Sequence, residues 1–221
     1  MSEPLDELIE KLAADGRRVR RLAPPMTRAM LWLGAVLLVS AFAVWSFADL
    51  PLFMSRIDDA KLRLELAGTV LTGIAAIVAA FHLSLPDRPT TWAWLPVPPL
   101  VLWVASSGYA CWQHWIRFGP EGWTLGESAD CFRLLLGVSL PLGAALLLVL
   151  SRARPLNPTP VAIAGGLGVA AIAAVLLQFF HPFDVTFMDL GVHAVAVGLV
   201  ILAARMSSGL LGRPEDQASR G

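Results

Sequence analysis

Two cysteines and four histidines are the only thiol or imidazole ligands in the 221-residue chain. All but His82 fall in three stretches: YACWQHW carries Cys111 and His114, ADCFR carries Cys131, and FHPFDVTFMDLGVH carries His181, Asp189 and His193. Thiolates select soft metals and are open to oxidation, and imidazole accepts the same metals. Cys111, Cys131 and His181 are therefore candidates for sensing an oxidant or a thiophilic metal. Asp189 and His193 lie four residues apart, which puts them on one face of a helix where they can hydrogen-bond or share a metal. Two plainer readings stand beside these. Cys111 and Cys131 can close a structural disulfide across 20 residues, contributing roughly 3 kcal/mol in the chain-entropy account. Asp189 and His193 can be a polar pair that only fixes a helix in place. No CxxC, HExxH, P-loop or nucleophile elbow occurs, so nothing argues for catalysis and the expectation is a protein that is not an enzyme.

The elements that must carry these residues follow from composition. The chain is 56% hydrophobic and 15% charged, with a mean hydropathy of +0.65, more apolar than a soluble domain of this size. Charged residues are confined to short segments between long apolar runs, the distribution expected where hydrocarbon excludes charge. Six runs approach the ~20 residues a spanning helix needs: 29–48, 64–85, 98–116, 132–150, 161–180 and 187–204. The fold expected is all-α, a polytopic membrane protein of six transmembrane helices. Residues 1–28 form a head, 29–205 the bundle and 206–221 a tail. The first run starts after a polar stretch and lacks a small-residue cleavage site, so it is expected to stay in the membrane. Twelve Lys and Arg residues fall on the side of the termini and five on the other, which puts both termini in the cytoplasm. The cysteines and His114, His181 and His193 then gather at the outer face, with helix ends three, four and five converging there.

Within the bundle, Gly68, Thr72, Ala76 and Ala80 on the second span, and Ala162, Gly166, Ala170 and Ala174 on the fifth, make ridges at spacing four. Such ridges let helix backbones approach closely in lipid. Pro98 and Pro99 suit the first turn of the third span, and Pro141 is expected to kink the fourth.

The head has a different character. SEPLDELIEKLAAD reads as a short helix with Ser2 at its cap, Pro4 in its first turn and Gly16 beyond its end. Leu5, Leu8, Ile9 and Leu12 form one apolar stripe, flanked by Asp6, Glu7 and Glu10. Five acidic residues against one lysine disfavour an anionic membrane surface and favour a hydrophobic groove with a basic rim on a partner protein. Packing on the protein's own cytoplasmic loops is the other home such a stripe can find. Residues 17–28, RRVRRLAPPMTR, read as a basic tether at the phospholipid surface.

The segments LIEKLAADGRRVRRLAPP, LSLPDRPTTWAWLPVPPLVLWVASSGYACW, DCFRLLLGVSLP and FHPFDVTFMDLGVHAVAV together resemble the NrsF family, bacterial six-helix membrane anti-sigma factors. The resemblance spans nearly the whole chain. It implies residence in the bacterial inner membrane and sequestration of an extracytoplasmic-function sigma factor until an envelope signal arrives, with the sigma factor and the lipid bilayer as partners and no direct contact with nucleic acid. It also implies a signal-sensing role for Cys131. Some members carry cysteine near the place held here by His181, so Cys131 with Cys111 or His181 is the candidate pair. A regulatory metal ion is the one cofactor the cluster admits. The competing reading is a small transporter or channel using Asp189 and His193 inside the bundle; the absence of paired broken-helix signatures in the two halves weighs against it.

Overall fold

The computed structural model describes residues 7, 9–11, 22–119, 125–180 and 187–207; for Cys131, Asp189 and His193, among others, it describes the backbone alone. The described residues form helices and connecting turns, with no strand among them. Seven α-helices follow the head: α1 (Pro25–Phe47), α2 (Leu50–Arg56), α3 (Ala60–Leu83), α4 (Val97–Phe118), α5 (Leu125–Ser151), α6 (Pro158–Phe180) and α7 (Phe187–Met206). A 3₁₀ turn, Thr90–Trp94, precedes α4.

Local chemistry explains where these helices begin. Pro25 opens α1, where a missing N–H has no helical partner to lose. Asp49 accepts a hydrogen bond from the Leu52 backbone N–H at 3.1 Å and so caps α2. Asp59 does the same for Lys61 at 2.9 Å and caps α3. These two caps extend helical structure into a charged stretch that hydropathy alone reads as loop, so α3 starts four residues before the expected span boundary at 64. The α4 helix begins at Val97, with Pro98 and Pro99 in its first turn as expected. The α5 helix runs through Pro141 and starts seven residues before the expected boundary at 132.

Among the described residues, four helices are long and apolar enough to cross a membrane: Pro25–Phe47, Ala60–Leu83, Phe132–Ser151 within α5, and Pro158–Phe180. The third and sixth expected spans also form helices in the expected places. However, α4 carries Ser106, Ser107, Tyr109, Gln113, His114 and Arg117 among its apolar residues, and the apolar stretch recognised in α7 is the shorter Ala194–Met206.

The core is built on α3 and α6, which share the most extensive helix pairing; α4 packs on α3, while α5 and α7 pack on α6 and on each other. The four-spaced ridges are buried on both helices, with Thr72, Ala76, Ala80, Ala162 and Ala170 fully so. Their partners are not simply one another. A methyl group at Gly68 would stand 2.8 Å from the Trp103 backbone nitrogen on α4, and one at Gly166 would stand 3.1 Å from Ile201 Cα on α7. The α3–α6 crossing instead seats Ile77 over Gly168, where an added Cβ would be 2.7 Å from Ile77 Cδ1, and Gly73 against Ala171 and Ile172. Each small-residue helix thus has close approaches on more than one side. Peripheral α1 is the opposite case: 6% of its apolar window is buried against 72% in α6. Leu37, Leu38, Phe42 and Trp45 face outward from it, as lipid-facing side chains do.

Candidate functional site

The helical head segment is described at Glu7, Ile9, Glu10 and Lys11, all exposed. Lys11 Nζ donates to Glu7 Oε1 at 3.4 Å, one turn away, and Ile9 is 56% exposed. Leu5, Asp6, Leu8 and Leu12, expected to share in partner binding, lie outside the described residues, as does the basic tether at 17–21.

Of the candidate sensing residues, Cys111 sits near the end of α4 and is 1% exposed. Cys131 falls in the second turn of α5 rather than at its first residue, and Asp189 and His193 occupy the first two turns of α7. The helix that carries Asp189 and His193 packs against both cysteine-bearing helices, whereas α4 and α5 share no extensive contact among the described residues. His181 lies outside them. Among the described residues no three of His, Cys, Asp and Glu gather into a group that could hold a metal ion.

Sequence reasoning passed over one centre that the fold assembles. Glu65, in the second turn of α3, is 8% exposed. Its Oε1 accepts hydrogen bonds from Ser107 Oγ on α4 at 3.0 Å and from Gln178 Nε2 on α6 at 3.3 Å. One carboxyl group thereby ties three helices together, and in a low-dielectric setting such ties gain strength from the absence of competing water. Ser107 and Cys111 are four residues apart on α4 and both are buried, so the ligand of Glu65 and a candidate sensing thiol share one helix face. The signal available in the sequence is an acidic residue at the second position of the apolar run that begins at 64.

A cleft of about 290 Å³ opens beside this centre, lined by Phe47, Phe53, Arg56, Gln178 and Phe179 among others. Phe53 and Phe179 stack across it with centroids 4.2 Å apart, which docks the short α2 helix onto the end of α6. Gln178 belongs to both the cleft wall and the Glu65 centre. The arrangement holds helices in register.

No curated protein and no solved structure matches the chain. A family model described as NrsF, negative regulator of sigma F, matches residues 12–213, nearly the whole length, and the chain belongs to that family.

Proposed function

We propose that the protein is a bacterial inner-membrane anti-sigma factor of six spans, with both termini in the cytoplasm, which holds an extracytoplasmic-function sigma factor through its head and releases it on an envelope signal. The observation that carries the reading is the whole-length match to a family of negative regulators of a sigma factor. The exposed Ile9 on an acidic helix supports the choice of the head as the binding element. In this reading Leu5, Leu8, Ile9 and Leu12 fill a groove on the sigma factor, and Asp6, Glu7 and Glu10 face its basic rim.

The signal enters at the other face. A two-electron oxidant, arriving as the signal, that joins the Cys131 and Cys111 thiols in a disulfide, or a soft metal that Cys131 captures together with His181 or Cys111, draws helix ends together. Asp189 and His193 lie on the helix that packs against both cysteine helices, in position to follow that movement. The Glu65 tie among α3, α4 and α6 then transmits a shift of α4 to the central pair of helices. For release to follow, the sigma factor and the signal must favour different bundle arrangements.

The test is co-purification of the sigma factor with the tagged, detergent-solubilised protein, identified by mass spectrometry. Each buried leucine anchor contributes about 1.5–3 kcal/mol, so Leu8→Asp combined with Leu12→Asp should abolish capture while membrane insertion is unchanged. Undiminished capture by the double variant would rule out the head as the binding element.

A further inference from the structure

Two buried clusters share the bundle, and α5 belongs to both, on opposite sides of a proline. Leu135 packs with Ala173 of α6 and Ala196 of α7. Leu146 and Leu150 lie in the larger cluster, which also holds Phe81 of α3 and Ala29 and Trp32 of α1. Pro141 stands between the two groups, inside the helix, and its missing N–H leaves the Gly137 carbonyl without a helical donor. The α6 helix also joins both clusters, but no proline interrupts it between Val169 and Ala173. Between the clusters α6 is continuous and α5 is jointed.

A second irregularity sits beside that proline. Ser139 is fully buried, and its Oγ has no hydrogen-bond partner among the described residues. Other helical hydroxyls of this protein donate to a carbonyl three or four residues back: Thr69 to Glu65 at 2.6 Å, Thr72 to Gly68 at 2.7 Å, and Ser106 to Trp103 and Ser151 to Leu148, both at 2.9 Å. A buried hydroxyl left unmet is rare and destabilises the arrangement that contains it. The acceptor within local reach is the Leu135 carbonyl, four residues back, and a serine bond of that kind bends a helix. Among the described residues no other helix comes within 4 Å of the places a Cβ would take at Gly137 or Gly143, so there is room on both sides of the joint.

The inner half of α5 holds the place where the head joins the bundle. The buried residues of α1, Pro25, Ala29, Trp32 and Val36, all lie in its first half. Arg28, in the first turn, donates from Nη2 to the Val149 carbonyl in the last turn of α5 at 3.0 Å. Carbonyls at a helix C-terminus lack helical donors and favour a cation. We propose that α5 is a two-state element hinged at Ser139 and Pro141. In the arrangement described, its inner half holds the start of α1; on bending, with Ser139 donating to Leu135, it withdraws Leu146, Val149 and Leu150 and frees the segment on which the head is mounted. The use made of the hinge rests on the function proposed above, since Cys131 lies on the outer half of the same helix. A signal there and a sigma factor on the head then bias one equilibrium, which is what coupling between them requires.

The experiment follows amide hydrogen exchange of residues 25–32 by mass spectrometry in the full-length protein in detergent, with neither sigma factor nor signal present. Ser139→Ala removes the bond that the bent state gains, so exchange should slow about threefold, the equivalent of one side-chain hydrogen bond within a membrane. Pro141→Ala restores a donor to Gly137 and should slow it roughly tenfold or more. Arg28→Gln removes the charged donor to Val149 and should speed it about tenfold. Residues that merely support the fold would give faster exchange in all three variants, so the opposite signs are the test. Should Pro141→Ala fail to accumulate, Ser139→Ala carries the slowing arm alone. Unchanged or faster exchange in Ser139→Ala overturns the hinge, and unchanged exchange in Arg28→Gln overturns its hold on α1. Cadmium or diamide added to wild type tests the signal separately. Faster exchange at residues 25–32 supports the link to the cysteines, whereas no change, with the variants behaving as expected, rejects the signal reading and upholds the hinge.

Discussion

At Glu65 a single side chain decides how three helices meet. Removing it leaves Ser107 Oγ and Gln178 Nε2 without their acceptor, and unsatisfied buried donors cost about 1–3 kcal/mol each in soluble proteins and less within membranes. Glu65→Ala should therefore lower stability by about 2 kcal/mol in reversible detergent unfolding, and Glu65→Gln, which keeps a carbonyl acceptor, by clearly less. Equal losses in the two variants would mean that side-chain volume, not hydrogen bonding, matters there. Cys131 belongs to the same scale. If it is the sensor, Cys131→Ser should accumulate normally yet abolish or lock the response of sigma-dependent transcription to cadmium or oxidant. Normal induction at normal abundance removes it from the sensing role, and loss of abundance points to a structural bond instead.

For the helices, close approach is the governing quantity. Gly68 permits α3 to reach the Trp103 backbone, where any Cβ would sit at 2.8 Å, a distance that forces two backbones apart. Gly68→Val should cost about 1–3 kcal/mol through overpacking and should disturb the Ser107–Glu65 bond, which lies one turn away along the same seam. Gly34 on α1 is the matched control, since nothing stands within 4 Å of the place its Cβ would take. Gly34→Ala should be neutral or stabilising by up to about 1 kcal/mol, because the helical chain loses less entropy on folding. Comparable thermal shifts in the two variants would contradict the packing account.

In the proposed arrangement the molecule as a whole crosses the bilayer, and charge sets its direction. Twelve Lys and Arg residues on the side of the termini against five opposite predict that an alkaline phosphatase fusion at Gly221 is inactive and that a fusion within residues 120–124 is active. The reverse pattern would invert the proposed arrangement and move the cysteines to the cytoplasm. The α3 and α6 helices carry the buried core to which the others attach, and Arg28 of α1, the helix that follows the head, also bonds directly to Val149 of α5.

Hydropathy and spacing by themselves determined the helical class, the positions of the long apolar helices, the prolines at the start of α4 and the amphipathic nature of the head. These are legible because each depends on a local quantity: length of apolar run, helical period, or a first turn that tolerates proline. The short α2 helix and the early start of α3 were less visible, since a charged stretch reads as loop until Asp49 and Asp59 are seen capping helices. Which small residue meets which helix was decided only in three dimensions. Gly166 faces α7 and Gly168 receives Ile77 of α3, although a four-residue ridge looks alike from every neighbour. Glu65, Ser107 and Gln178 are 42 and 113 residues apart along the chain for the two bonds that join them. No local pattern encodes such separations, and only the packing of α3 between α4 and α6 brings these side chains to one carboxyl group.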